Sequence, residues 1–152
     1  MKMDTVEIKE YKTKFAKGNH PMIFVNGKSL DELLWAQIGE ENLLGLVPAI
    51  TWLWDDEEQK IAIERLSNET VGSTVVPILV CPDDADFSCT VLIVEVELSD
   101  KTVKWCRFGI DQSHQKEIGT TVVWFKNSPV YEFIKMNYFE FRDNFIHVAK
   151  SN

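Results

Sequence analysis

The sequence predicts an α+β fold, a central and mostly antiparallel sheet covered on one face by helices. Two stretches carry that reading. Residues 75–110 contain three strand-like runs joined by two turns, with sustained alternation of apolar side chains. Residues 129–148 hold Val130, Phe133, Ile134, Tyr138, Phe141, Phe145 and Val148 at helical spacing. Ser128-Pro129 precedes them as an N-cap with proline at the first helical position. An apolar sheet face needs a cover, and an amphipathic helix supplies one. Size is the third observation: 152 residues, 45% hydrophobic and 26% charged, are read as one globular domain spanning residues 1–152.

In chain order, Val6, Ile8 and Tyr11 lie in a Lys/Glu-rich stretch that predicts an edge strand within 5–15. Gly18–Pro21 is a turn, MIFV at 22–25 a short strand, and Asn26-Gly27 a hairpin turn. Ser29 followed by Glu32 has the capping-box pattern, which predicts a helix over 30–38 stopped by Gly39. The run NLLGLVPAITWLW at 42–54 stays open between strand and helix. Pro48 favours extended backbone before it and Ile50, Trp52 and Trp54 alternate, yet an apolar run of this length also suits a buried helix. Asp55, Asp56, Glu57 and Glu58 put negative charge where a helix N-terminus favours it, so a helix is predicted over 56–66. Beyond the central sheet, 111–119 is a polar loop and 120–125, TTVVWF, a fourth strand.

The turns fix a register for the hairpins at 75–98 and 90–110. With PDDADF as the first loop, Cys81 falls opposite Cys89, Leu79 opposite Val91 and Pro77 opposite Ile93. With SDKT as the second, Leu98 faces Val103, Glu97 faces Lys104, Val96 faces Trp105 and Ile93 faces Phe108. The Glu97–Lys104 and Val96–Trp105 pairs are favourable cross-strand partners. One face then carries Val76, Ile78, Val80, Leu92, Val94, Val96, Leu98, Val103 and Trp105. The other is apolar at one end (Leu79, Val91, Ile93, Phe108) and charged at the other. Arg107 is the misfit, since this register sets it on the apolar face beside Val94. It needs a carboxylate there, or the register breaks near Gly109.

Charge is unevenly distributed. Residues 1–30 hold six lysines against three acids, residues 31–100 two basic residues against sixteen acids, and residues 101–152 eight against five. The net is −8. An acidic middle argues against nucleic acid or an anionic membrane as partner, because both need a basic footprint. It suits a basic protein partner. The chain has no apolar run of transmembrane length and its first residues no signal-peptide core, and its three cysteines fit a reducing compartment; a cytoplasmic location is expected.

Catalytic constellations are thin. Cys81, Asp83, Asp84, Asp86 and Cys89 cluster around one turn, but no histidine is near, and the spacing lacks the glycine and terminal glutamate of a calcium-binding EF-hand loop. No metal and no cofactor is expected, and whether Cys81 and Cys89 are free, disulfide-bonded or metal-bound stays open. Of the three histidines, His20 precedes a proline, His147 ends a helix, and His114 alone falls near a cysteine. A small enzyme with its site near Cys81, Asp84 and His114 is therefore the alternative reading, although no nucleophile motif surrounds them. Self-assembly through a hairpin edge is a third. Five tryptophans are many for this length; most suit a core, but Trp52 or Trp54 beside the DDEE run suits an aromatic binding anchor rimmed by acid.

The CPDDADFSC turn and the WCRFGID strand end follow an acidic helix and precede an aromatic-rich C-terminal helix. In that order and charge the chain resembles the bacterial immunity proteins of polymorphic and contact-dependent toxin systems. The resemblance implies a non-enzymatic acidic protein that neutralises a basic toxin domain, such as a nuclease, by occluding it. Charge and turn position, rather than any family motif, mark Trp54, Asp55, Asp56, Glu57, Glu58, Asp83, Asp84 and Asp86 as the expected partner-binding residues.

Overall fold

The computed structural model describes residues 3–83, 87, 90–113 and 118–151. It is α+β, with an antiparallel sheet and a C-terminal helix as expected. Strand β1 (Val6–Tyr11) pairs with β2 (His20–Val25), and β2 with the two-residue β3 (Lys28–Ser29), forming a three-stranded sheet. Asn26 and Gly27 both have positive φ (53° and 83°), the conformation a tight two-residue hairpin demands and their sequence supplies. Helix α1 (Leu30–Ile38) follows and ends on Gly39 in the left-handed conformation. Ser29 is its N-cap, but its hydroxyl makes no capping bond. Ser29 is also the last residue of β3, paired with Phe24 and buried, so its side chain is committed to the sheet–helix junction. Glu32 does not reach back either; it accepts the Tyr11 hydroxyl from β1.

The open segment at 42–54 divides at Pro48. Val47–Pro48 form β4, Ala49–Trp52 one helical turn, α2, and helix α3 (Asp56–Leu66) begins where the charge pattern predicts. Proline cannot donate to a ladder, which suits its place on the outermost strand of the larger sheet.

That sheet has six strands in which β4 neighbours β5 (Gly72–Val80), then β6 (Val91–Leu98), then β7 (Thr102–Asp111). Along its far edge, β7 is bordered by β8 (Val122–Trp124) at one end and β9 (Tyr131–Ile134) at the other. The second-hairpin pairs Leu98–Val103, Glu97–Lys104 and Val96–Trp105 hold, as does Pro77–Ile93 in the first. Two bulges shift the rest by one residue. Ile78 is extra in β5, so Leu79 faces Leu92 rather than Val91, and Cys81 donates its N–H to Thr90 O; the expected partner Cys89 lies outside the described residues. Cys106 is extra in β7, so Phe108 faces Val94 rather than Ile93. The second bulge also resolves the misfit: Arg107 moves opposite Glu95, pairs with it at 3.2 Å, and lies 4.0 Å over the Trp124 ring. A guanidinium too costly to bury is turned out to a carboxylate and an aromatic face.

The predicted helix over 129–148 is corrected at its start. Tyr131–Ile134 are strand β9, and the helix α4 runs from Lys135 to Lys150 with Ile134, not Ser128, at its N-cap. Val130, Phe133 and Ile134 satisfy a helical period, but Tyr131 and Phe133 equally satisfy a strand period, and the open edge of β7 pairs with them. The Ser128 hydroxyl serves β7 instead, accepting the Phe108 N–H at 2.7 Å.

The core joins both sheets to α4. Trp105, fully buried, is met edge-on by Phe108, Tyr131, Phe133, Tyr138 and Phe141, with centroids between 5.0 and 6.5 Å. Every residue from Val76 to Val80 and from Val91 to Val94 is buried, so that end of the sheet is covered on both faces. At the other end Glu97 is exposed and Glu95 and Lys104 half-buried, as the alternation predicts. Among the described residues, no helix is long and apolar enough to cross a membrane.

Candidate functional site

The acidic run Asp55–Glu58 and Asp83, far apart in sequence, lie at one end of the larger sheet. The pairing of Val47 with Val80 and Pro48 with Leu79 lays α2 and the start of α3 beside the turn that leaves β5. Trp52 fastens that turn from one side, its Nε1–H donating to Pro82 O at 2.9 Å. Glu58 fastens it from the other, its carboxylate accepting the Phe87 N–H at 3.3 Å. Gln59 Nε2 donates to Ile50 O at 2.7 Å and ties α2 to α3. The corner bearing Trp54 and Asp55–Glu58 is thereby fixed against the turn bearing Asp83.

Within this end the acids divide their work. Asp55 is the N-cap of α3, its Oδ1 accepting the N–H groups of Glu57 (2.9 Å) and Glu58 (3.1 Å). Asp56, Glu57 and Asp83 are exposed. Among the described residues, no cation pairs with Asp55, Asp56, Glu57 or Asp83. Trp54 is 87% exposed, between the buried Leu53 and the N-cap Asp55, both extended residues that set off helical backbone. That backbone presents the indole to solvent. Asp84 and Asp86, also predicted here, lie outside the described residues.

The residues of the enzyme alternative are not brought together by anything described. Cys81 is half-buried at the end of β5, while Asp84 and His114 lie outside the described residues, as does Cys89. Cys106 is half-buried at its bulge, where burial, Glu97 and Glu95 push its thiol up and keep it protonated. His20 is fully engaged. Its Nδ1 lies 2.8 Å from Pro21 O, which only accepts, so Nδ1 carries the proton. Its Nε2 then accepts from the Thr13 hydroxyl at 2.8 Å and the Thr13 N–H at 3.4 Å. Among the described residues, no group of three or more His, Cys, Asp or Glu side chains is placed to hold a metal ion.

Comparison with family models, curated proteins and solved structures returned no match. Site assignment therefore rests on geometry and charge alone.

One feature of this end escapes a reading of the sequence. A groove runs between the loop bearing Phe15, Lys17 and His20 and the turn at Pro82–Asp83, with Trp52 in its lining. The His20 ring meets the Trp52 ring edge-on at 5.1 Å, so one packed pair of aromatics builds that lining. Phe15 is 59% exposed and rests on Gly45, where an added Cβ would lie 2.5 Å from the phenyl ring and where φ is 94°. The only sequence signal was an aromatic residue between lysines in KTKFAKG, which reads equally well as a solvated turn.

Proposed function

We propose that this is a non-enzymatic acidic binding protein whose end built from Trp54, Asp55–Glu58 and Asp83 docks on a basic protein partner. Among basic partners, a toxin domain neutralised by occlusion fits the chain's resemblance to immunity proteins. The observation that carries the reading is Trp54, 87% exposed beside Asp56, Glu57 and Asp83, with none of which a described cation pairs. Solvating an indole is costly for a monomer, and an aromatic anchor rimmed by charge is how interface hot spots are built. Carboxylates without internal counterions speed encounter with a basic surface and make it salt-sensitive.

The test compares tagged wild type with a variant carrying Trp54→Ala, Asp56→Lys, Glu57→Lys and Asp83→Lys, each an exposed position that leaves the Asp55 cap intact. Both are used to capture proteins from the native cytosol at low and high salt. The reading expects a basic protein retained by wild type at low salt, shed at high salt and not retained by the variant. Equal capture by both forms overturns it.

A further inference from the structure

Resting on that docking reading, we infer that the groove between Phe15 and Asp83 is the pocket that receives an arginine side chain of the basic partner. Two features of the groove favour arginine over lysine, and a third comes from elsewhere in the chain. Its lining is aromatic, with Phe15, His20 and Trp52, and a planar, weakly hydrated guanidinium stacks on aromatic rings better than a compact ammonium does. Its rim carries Asp83, exposed and without a cation partner among the described residues, and a carboxylate takes a guanidinium through two parallel hydrogen bonds. Both kinds of cation lie over aromatic rings within the protein, the guanidinium groups closer, at 4.0 and 4.3 Å, than the ammonium groups of Lys9, Lys14 and Lys135, at 5.2 to 5.8 Å. Arg107 lies over Trp124 at 4.0 Å while bonded to Glu95, and Arg142 lies over Phe139 at 4.3 Å while bonded to Asp143 and Glu69.

The lining is also prebuilt. The Trp52 indole is held by Pro82 O and the His20 ring by Thr13 and Pro21, so binding orders Phe15 and the ligand rather than the floor. Lys17 works against the occupant. It shares the groove mouth and makes no ion pair among the described residues, so its charge repels an incoming cation, as does that of Lys14, whose ammonium lies 5.2 Å over the Phe15 ring. Removing it must therefore tighten binding, a sign opposite to that of every other substitution in the groove.

The experiment titrates the full chain at low salt with an oligo-arginine peptide and an oligo-lysine peptide of equal length, following indole N–H signals by NMR. Trp54→Phe identifies the Trp54 signal and Trp52→Phe that of Trp52. The inference expects the Trp52 and Trp54 signals to move together and the arginine peptide to bind about tenfold more tightly than the lysine one. Phe15→Ala and Asp83→Asn, both at exposed positions, each weaken the arginine peptide by about threefold or more, and Lys17→Ala strengthens it. Equal binding of the two peptides, or a still Trp52 signal with a moving Trp54 signal, overturns the arginine pocket and leaves the docking surface standing. No salt-sensitive binding of either peptide removes both.

Discussion

Trp105 and Tyr138 provide a sharp test of the core. The Trp105 Nε1–H donates to the Tyr138 hydroxyl at 3.4 Å, and both side chains are buried. Among the described residues neither polar atom has another hydrogen-bond partner, so each satisfies the other. Trp105→Phe removes ring volume, at roughly 1–2 kcal/mol, and leaves a buried hydroxyl unmet at about 1 kcal/mol, the low end for a long bond. Tyr138→Phe leaves the indole N–H unmet, again at about 1 kcal/mol. The double variant removes both polar groups, keeps only the volume cost, and should be more stable than Trp105→Phe alone. The cycle should therefore show about 2 kcal/mol of non-additivity. Urea unfolding followed by far-ultraviolet circular dichroism reads this without relying on the altered fluorophore, as midpoint shifts of several tenths of a molar or more at a slope of about 1–3 kcal/mol per molar. If Tyr138→Phe costs the same in both backgrounds, the bond is irrelevant to stability and the argument fails.

Other expectations concern protons and caps. Burial pushes the Tyr138 hydroxyl up to about 12 from 10, so folding holds a proton that the unfolded chain releases. That stabilisation is complete below pH 10 and is lost as pH rises through 12, by about 2–3 kcal/mol, and alkaline melting of wild type against Tyr138→Phe will show it. Asp31, 1% exposed with Oδ2 accepting the Gly45 N–H at 2.9 Å and Oδ1 without a partner, has its carboxyl raised chiefly by desolvation. Its contribution favours folding below the usual carboxylate range and is lost as pH rises through the folded value. Asp31→Asn keeps an acceptor for Gly45 and should melt higher than wild type at neutral pH, the gap closing in acid; a lower melting temperature at neutral pH would falsify the assignment. Asp55→Ala removes the cap of α3 and should cost about 1 kcal/mol, measurable by thermal unfolding.

The sequence alone determined what short-range physics controls. Asn26-Gly27 selected its turn, Gly39 ended α1, and Asp55–Glu58 started α3, because each depends on a few neighbouring dihedrals and a local field. Charge spacing across SDKT likewise set the second hairpin, since a tight turn propagates one register into both strands until a bulge interrupts it. The acidic composition of the end proposed to bind and the candidacy of Trp54 were legible in the same way.

Tertiary structure decided the rest. Bulges at Ile78 and Cys106 cost one residue of register each, and only packing above and below the strands selects where such an insertion falls. Residues 131–134 became a strand because β7 offered an unpaired edge, a long-range opportunity invisible to periodicity. Ser29 lost its capping bond to the burial of its side chain. Above all, the meeting of Asp55–Glu58 with Asp83, and the aromatic groove beside them, exist because β4 pairs with the end of β5. A contact between residues so distant along the chain costs loop entropy that only the buried core offsets, so the site belongs to the fold and not to any motif.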